Sequence, residues 1–235
     1  MNRTLFSQKG RTDLDLTLVG GGYVGVATAL GFGHHGHRVT IVERDPRIIA
    51  ALRAGTPPFH EPGLDEALRE AVNAGWLHTT EDLEAAVRTS SVVFLCVGTP
   101  PGEDGAVDLS QIIDAARQVA EVDCDDDDRR TLVVKSTVPP GTTENTVAPV
   151  FDHSQSNWGL AVNPEFLREG QALGDSLNPD RIVLGACDPE SAATLDELYA
   201  GFDAPLLHLP PTTAEMIKYT SNALLATMIS FSNEI

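Results

Sequence analysis

From Leu14 onward the chain alternates two hydrophobic patterns. Short, β-branched runs are almost continuously apolar and bounded by turn residues: LDLTLVG (14–20), HRVTIVE (37–43), SVVFLCV (91–97), TLVVKS (131–136), GLAVN (159–163) and RIVLG (181–185). Between them lie longer stretches of helical character, the first being YVGVATALGFGHHG (23–36). A strand without polar alternation is buried on both faces, and strands separated by helices return parallel to one another. The pattern predicts an α/β fold, a Rossmann-type doubly wound parallel sheet covered by helices on both faces. From Thr212 to Ile235 it changes to one long helix, with Met216, Leu224, Met228 and Phe231 among its apolar positions and no Gly or Pro to stop it. Three segments follow: an N-terminal extension (1–13), a sheet domain (14–211) and the beginning of a long helix (212–235).

An open sheet of this kind binds ligands beyond the carboxyl ends of its strands. The first such end carries GGGYVG, with Gly20, Gly22 and Gly25 in the G-x-G-x-x-G spacing and Tyr23 and Val24 opening a helix. The first glycine permits the tight turn, the second admits a pyrophosphate, and the third lets helix and strand pack closely. Glu43 closes the second strand 23 residues after Gly20. A carboxylate there accepts hydrogen bonds from a ribose 2′-hydroxyl and repels a 2′-phosphate, which predicts NAD rather than NADP, with Arg44 beside it softening the preference. Segment 14–211 is therefore expected to be an NAD-binding domain. Three further strand ends carry polar loops: VGTPPGEDG (97–105) with Thr99, KSTVPPGT (135–142), and NPEFLREG (163–170) with Glu165 and Glu169. Taken singly, each is read equally well as a capped loop.

Composition narrows the partners. The net charge is −18 over 235 residues, with 34 Asp and Glu against 16 Lys and Arg, and only Lys9, Lys135 and Lys218 are lysines. So acidic a surface repels nucleic acid and anionic membranes, and neither is expected as a partner. No run has the length of a membrane span and the N-terminus has no apolar signal segment, so a cytoplasmic location is expected. Acidity combined with lysine loss suggests a halophile, the alternative being an ordinary acidic cytosolic protein. No metal is expected. Cys96, Cys124 and Cys187 share no ligand spacing, HHGH (34–37) reads as a helix end, and DCDDDDRR (123–130) as a solvated loop.

The motifs GGGYVG, EPGL (61–64), VGTP, KSTVPPGT, NPEFLREG, PDRIVLG (179–185) and EMIKYTSNALLATMISFSNEI (215–235) occur in one order. As an ensemble the chain resembles the UDP-glucose/GDP-mannose dehydrogenase family from about Leu16 to Ile235. It is most similar to members acting on UDP-glucose. GDP-mannose members share PEFLRE, whereas N-acetylhexosamine relatives carry Arg-Val where this chain has Phe166 and Leu167. An unrelated NAD enzyme would explain the glycine fingerprint alone.

The resemblance implies two successive NAD-linked oxidations of a sugar C6 alcohol to an acid, the second through a cysteine-bound intermediate. It implies cofactor contacts at Gly20, Gly22, Tyr23, Val24, Gly25, Glu43, Thr99, Ser136, Thr137 and Glu169. It implies acid–base chemistry at Glu165 with Thr137. Phe166, Leu167, Arg168 and Glu169 would lie along the nucleotide sugar, and Lys218 and Asn222, at i and i+4 on one helix face, would stabilise charge on the C6 oxygen. It further implies a homodimer formed through the long helix. Departures are Glu43 for the family's usual aspartate, Arg47 as a displaced stand-in for a basic NAD contact, and Met228 for lysine. In the family the cysteine and a second nucleotide-binding domain follow this helix, so the chain is expected to be the N-terminal part of the enzyme. A short product that binds NAD without completing the oxidation is the alternative.

Overall fold

The computed structural model describes residues 14–124 and 128–235. The extension 1–13 and the middle of the acidic run, 125–127, lie outside the described residues.

The chain opens with β1 (Asp15–Val19), α1 (Tyr23–His34), β2 (Arg38–Val42), α2 (Pro46–Arg53), α3 (Leu64–Ala74), β3 (Leu77–Thr80), α4 (Leu83–Arg88) and β4 (Val92–Leu95). It continues with α5 (Ser110–Ala120), β5 (Arg130–Val134), β6 (Trp158–Val162), α6 (Ala172–Leu177), β7 (Ile182–Ala186), α7 (Pro189–Tyr199), β8 (Leu206–Leu209) and α8 (Pro211–Glu234). The strands form one sheet in the order β3-β2-β1-β4-β5-β6-β7-β8. The order reverses direction between β1 and β4, where an open sheet leaves a crevice for a ligand. β4 shows why its run is continuously apolar. Val92 and Phe94 enter the core on one face with Leu18, Leu30 and Phe32, while Val93 and Leu95 enter the other with Ile112, Val119 and Val134. Each such buried side chain contributes about 1.5–3 kcal/mol.

All six expected strands are present, and β3 and β8 join them at the two edges. These edge strands, LHTT and LLHL, are short and half exposed, so they lack the apolar run that marks a central strand. One direction differs from the fully parallel expectation. β7, the RIVLG strand, runs antiparallel to β6, pairing Ala161 with Ala186 and Val162 with Gly185, and β8 is parallel to β7. The link between them is long enough for a crossover, but its helix α6 has only six residues and packs on α1, where a Cβ at Gly31 would lie 2.7 Å from the Ser176 carbonyl oxygen. At about 9 Å α6 does not carry the chain back along β6, so the chain re-enters the sheet from the carboxyl end of β6, with Asp180 and Arg181 just before β7.

The HHGH segment closes α1. Gly36 makes the turn at φ +100°, the His35 ring stacks on Phe202 at 3.7 Å, and His37 Nε2 lies 3.0 Å from the Leu198 carbonyl oxygen. Burial lowers the His35 pKa. Among the described residues no helix is long and apolar enough to cross a membrane.

α8 is buried only at its amino end, through Pro211, Ala214, Glu215 and Lys218. Beyond that, Leu224, Leu225, Met228, Ile229 and Phe231 are exposed.

Candidate functional site

At the β1–α1 turn Gly20 has φ +114°, and a Cβ there would lie 2.7 Å from the Cys96 carbonyl oxygen. A Cβ at Gly25 would meet the Gly20 carbonyl oxygen at 1.9 Å. Neither position admits a side chain. Gly22 is the opposite case: it faces solvent, and nothing lies within 4 Å of the Cβ position. That open backbone, at the amino end of α1 with Tyr23 and Val24 in its first turn, fits a pyrophosphate.

Glu43 follows β2 and braces this turn. One carboxylate oxygen accepts from Gly21 N at 2.8 Å, and the other from Arg44 N at 2.7 Å and Asp45 N at 3.0 Å. The sequence-predicted ribose ligand is thus within reach of the glycine turn and oriented by backbone N–H groups. Arg47 forks onto Asp45 at 2.6 Å, and this contact holds the Asp45 carboxyl down at about 2.

The loops after β4 and β5 are tied to each other. Thr99 Oγ1 donates to the Thr137 carbonyl at 2.8 Å, and Ser136 Oγ donates to the Val97 carbonyl at 2.6 Å. Both hydroxyl protons are used within the protein, which leaves oxygen lone pairs for a ligand. Thr137, between them, is half buried.

Beyond β6, Asn163 and Pro164 turn the chain so that Glu165 meets α8. Its Oε1 lies 2.7 Å from Lys218 Nζ, with the side chains 13% and 8% exposed. Its Oε2 accepts from Leu167 N at 2.6 Å, which fixes the carboxylate plane. The Phe166 ring carries the Arg181 guanidinium at 4.4 Å from its centroid and Lys218 Nζ at 5.5 Å. Arg168 forks onto Asp175, while Glu169 is exposed and faces the Tyr23 side of the loop. Asn222 sits exposed one turn beyond Lys218. Glu165, Phe166, Leu167, Arg168, Lys218 and Asn222 line a single cavity of about 280 Å³, with Lys135 and Arg181 also on its wall. Of the residues expected to meet the sugar or act beside it, these six share the cavity, whereas Glu169 and Thr137 are not on its wall.

Several supporting residues escaped the sequence reading. Glu61, from EPGL, is buried; it accepts from Ala172 N at 2.7 Å, Gly170 N at 3.0 Å and the Tyr23 hydroxyl at 3.3 Å. The Tyr23 hydroxyl also donates to the Arg168 carbonyl at 3.1 Å, joining the fingerprint helix to the sugar-side loop. Burial and the Glu61 carboxylate push the Tyr23 pKa up to about 12. Glu215, one turn before Lys218, accepts from Gly141 N, from Thr143 N at 2.8 Å and from Thr143 Oγ1 at 2.7 Å. It clamps α8 to the loop that contains Thr137. Glu61 lies in the turn EPGL, and Glu215 stands between Ala214 and Met216 at the start of α8, where an acidic residue among apolar neighbours was the available signal. None of the three cysteines lines the cavity. Burial raises the Cys96 thiol to about 12; partial burial and the carboxylates of Glu144, Asp188 and Glu215 raise Cys187 to about 11.

Residues 14–203 match the profile of the UDP-glucose/GDP-mannose dehydrogenase family, NAD binding domain. The chain belongs to this family. It is 41% identical over 225 residues to UDP-glucose 6-dehydrogenase YwqF of Bacillus subtilis, covering 94% of this chain and 50% of that protein. It is 39% identical to GDP-mannose 6-dehydrogenase of Pseudomonas putida, covering 94% and 51%. Its fold matches the solved UDP-glucose dehydrogenase of the archaeon Pyrobaculum islandicum with TM-score 0.91 and 45% identity, over 97% of this chain and 54% of that one. The chain spans about half the length of the curated relatives it matches. NAD is the cofactor of the matched domain, and the open turn at Gly22 beside Glu43 fits such a dinucleotide.

Proposed function

We propose that this chain is the NAD-binding, C6-facing part of a nucleotide-sugar 6-dehydrogenase that oxidises UDP-glucose to UDP-glucuronate. The observation that carries the reading is the Glu165–Lys218 pair at 2.7 Å, held in a cavity that is also lined by Thr28, Gly31 and Phe32 of the fingerprint helix α1. NAD, when bound, supplies the hydride acceptor.

The protein residues do the rest. The Lys218 ammonium and the Asn222 amide, one turn apart, hold negative charge as it develops on the C6 oxygen. Lysine suits this position because it can give up a proton, which arginine cannot in the accessible pH range. Glu165, ion-paired to Lys218, holds or receives the alcohol proton and, with Thr137, orients the water for the hydrolytic step. Phe166, Leu167 and Arg168 lie along the sugar nucleotide. The thiol implied for the second oxidation is expected from sequence outside these 235 residues, since no cysteine present lines the cavity and burial holds Cys96 and Cys187 protonated. The exposed apolar side of α8 would form the contact between two copies of the longer protein.

UDP-glucose is favoured by the 41% and 45% identities to proteins named for it, with GDP-mannose the competitor at 39%. The test supplies the longer protein with NAD and an equal mixture of the two sugar nucleotides, then identifies the acid by mass. UDP-glucuronate as the main product supports the assignment; the acid of GDP-mannose alone would transfer it to that sugar.

A further inference from the structure

Beneath the Glu165–Lys218 pair lies a second ammonium group that this chemistry does not use. Lys135 follows β5, is buried, and belongs to a chain with only three lysines. Its Nζ donates to Asn163 Oδ1 at 2.8 Å and lies 3.5 Å from the Asn163 carbonyl oxygen. Asn163 Oδ1 also accepts from the Tyr199 hydroxyl, and Nδ2 donates to the Val183 carbonyl at 2.9 Å. One side chain thus joins β5, β6, β7 and α7, two residues before Glu165.

A lysine stem filling a core would be the plain reading, but its charge argues otherwise. A buried ammonium is costly unless a carboxylate compensates it. The hydrogen-bond partners of Lys135 are neutral, and the carboxylate whose field reaches it is Glu165, already paired with Lys218. Two ammonium groups therefore share one carboxylate on the wall of one cavity.

We propose that Lys135 joins Glu165 and Lys218 as a charged trio at this site, a positioning residue that fixes Glu165 through Asn163 and, among cavity-lining Arg168, Arg181, Asp175 and Asp180 whose charges balance with that pair, tips the cavity to a net positive charge for an anionic oxygen of substrate or product. The identity of that anion, the C6 oxygen or the product carboxylate, rests on the proposed function; the charged trio does not. The groups facing Lys135 are Cys96 after β4, Glu165 after β6, Tyr199 at the end of α7 and Lys218 on α8. Burial lowers the Lys135 pKa to about 8; Cys96 and Glu165 oppose the shift and Lys218 adds to it.

Lysine scarcity makes the test direct. Lysine labelled with carbon-13 at the ε position gives three signals in this chain, assigned by Lys135→Met and followed through a pH titration. The Lys135 midpoint is expected near 8 rather than at the free value of ~10.4. It should rise in Lys218→Met and fall in Glu165→Gln. A wild-type midpoint at the free value, which needs no variant to be folded, or a midpoint indifferent to both substitutions, overturns the proposal. In the longer protein, Lys135→Met removes a positive charge from the site and should move the pH–rate profile to higher pH while NAD affinity is retained. An unmoved profile would overturn the role in turnover. Wild-type longer protein that oxidises neither sugar nucleotide would sink the proposed function, and the titration would still decide the trio.

Discussion

Glu43 shows how a residue type read from sequence acquires a second task in three dimensions. Its spacing from Gly20 pointed to the ribose, and its oxygens also accept from Gly21, Arg44 and Asp45 N–H groups, which aim the carboxylate. An oriented carboxylate discriminates against a 2′-phosphate more sharply than a free one. Titration of both cofactors into the chain should give tighter binding of NAD than of NADP; equal or tighter NADP binding would remove Glu43 from the ribose. Lys135 supplies a pH prediction at the same scale. Its folded pKa of about 8 lies below the unfolded ~10.4, so between these values the unfolded chain holds a proton that the folded chain does not. Stability from this group therefore rises with pH across that window, by about 3 kcal/mol in the limit. Cys96, raised to about 12, acts in the opposite sense, because the unfolded thiol ionises first. Urea unfolding of wild type and Lys135→Met at about pH 8 and pH 10 isolates the lysine. Wild type should gain relative to the variant, and a constant gap would contradict the depressed value.

At the scale of elements, legibility followed burial. The six strands covered on both faces announced themselves as continuous apolar runs, whereas the edge strands β3 and β8 are only four residues long, incompletely buried and interrupted by His78 and His208. The reversed direction of β7 was invisible because a strand's residues do not encode the sense of its partner; the docking of α6 on α1, a tertiary contact, decides where the chain turns back. At the site, what motifs foretold was placement: the close-packed glycine turn with Glu43 against it, and Glu165, Lys218 and Asn222 on one cavity wall. The carboxylates that position them were not, since Glu61 and Glu215 act on backbone N–H groups distant in sequence. Glu215→Ala would strand the N–H groups of Gly141 and Thr143 and the Thr143 hydroxyl in the interior, at a cost of about 1–3 kcal/mol for each unsatisfied group before relaxation. The urea midpoint should fall and the amino end of α8 should exchange faster; an unchanged midpoint would show that α8 is held by packing alone.

Over the whole molecule, charge is the dominant property. The net charge is −18, and Glu61 and Glu215 are the only carboxylates among the described residues that are buried. The remaining described carboxylates lie at or near the surface, so self-repulsion opposes the compact state until ions screen it. The thermal midpoint should rise clearly from dilute buffer to molar salt; an unchanged midpoint would favour an ordinary acidic protein over a halophilic one. Lys218, held beside Glu165 and over an NAD-binding scaffold, is proposed to work at the C6 oxygen of a nucleotide sugar. The most direct test is NAD reduction with UDP-glucose by the longer protein and its Lys218→Ala variant, with NAD affinity determined for both. Wild type should turn over, and the variant should lose about 10²–10³-fold in turnover while binding NAD as before. Equal turnover in the two proteins would contradict the claim.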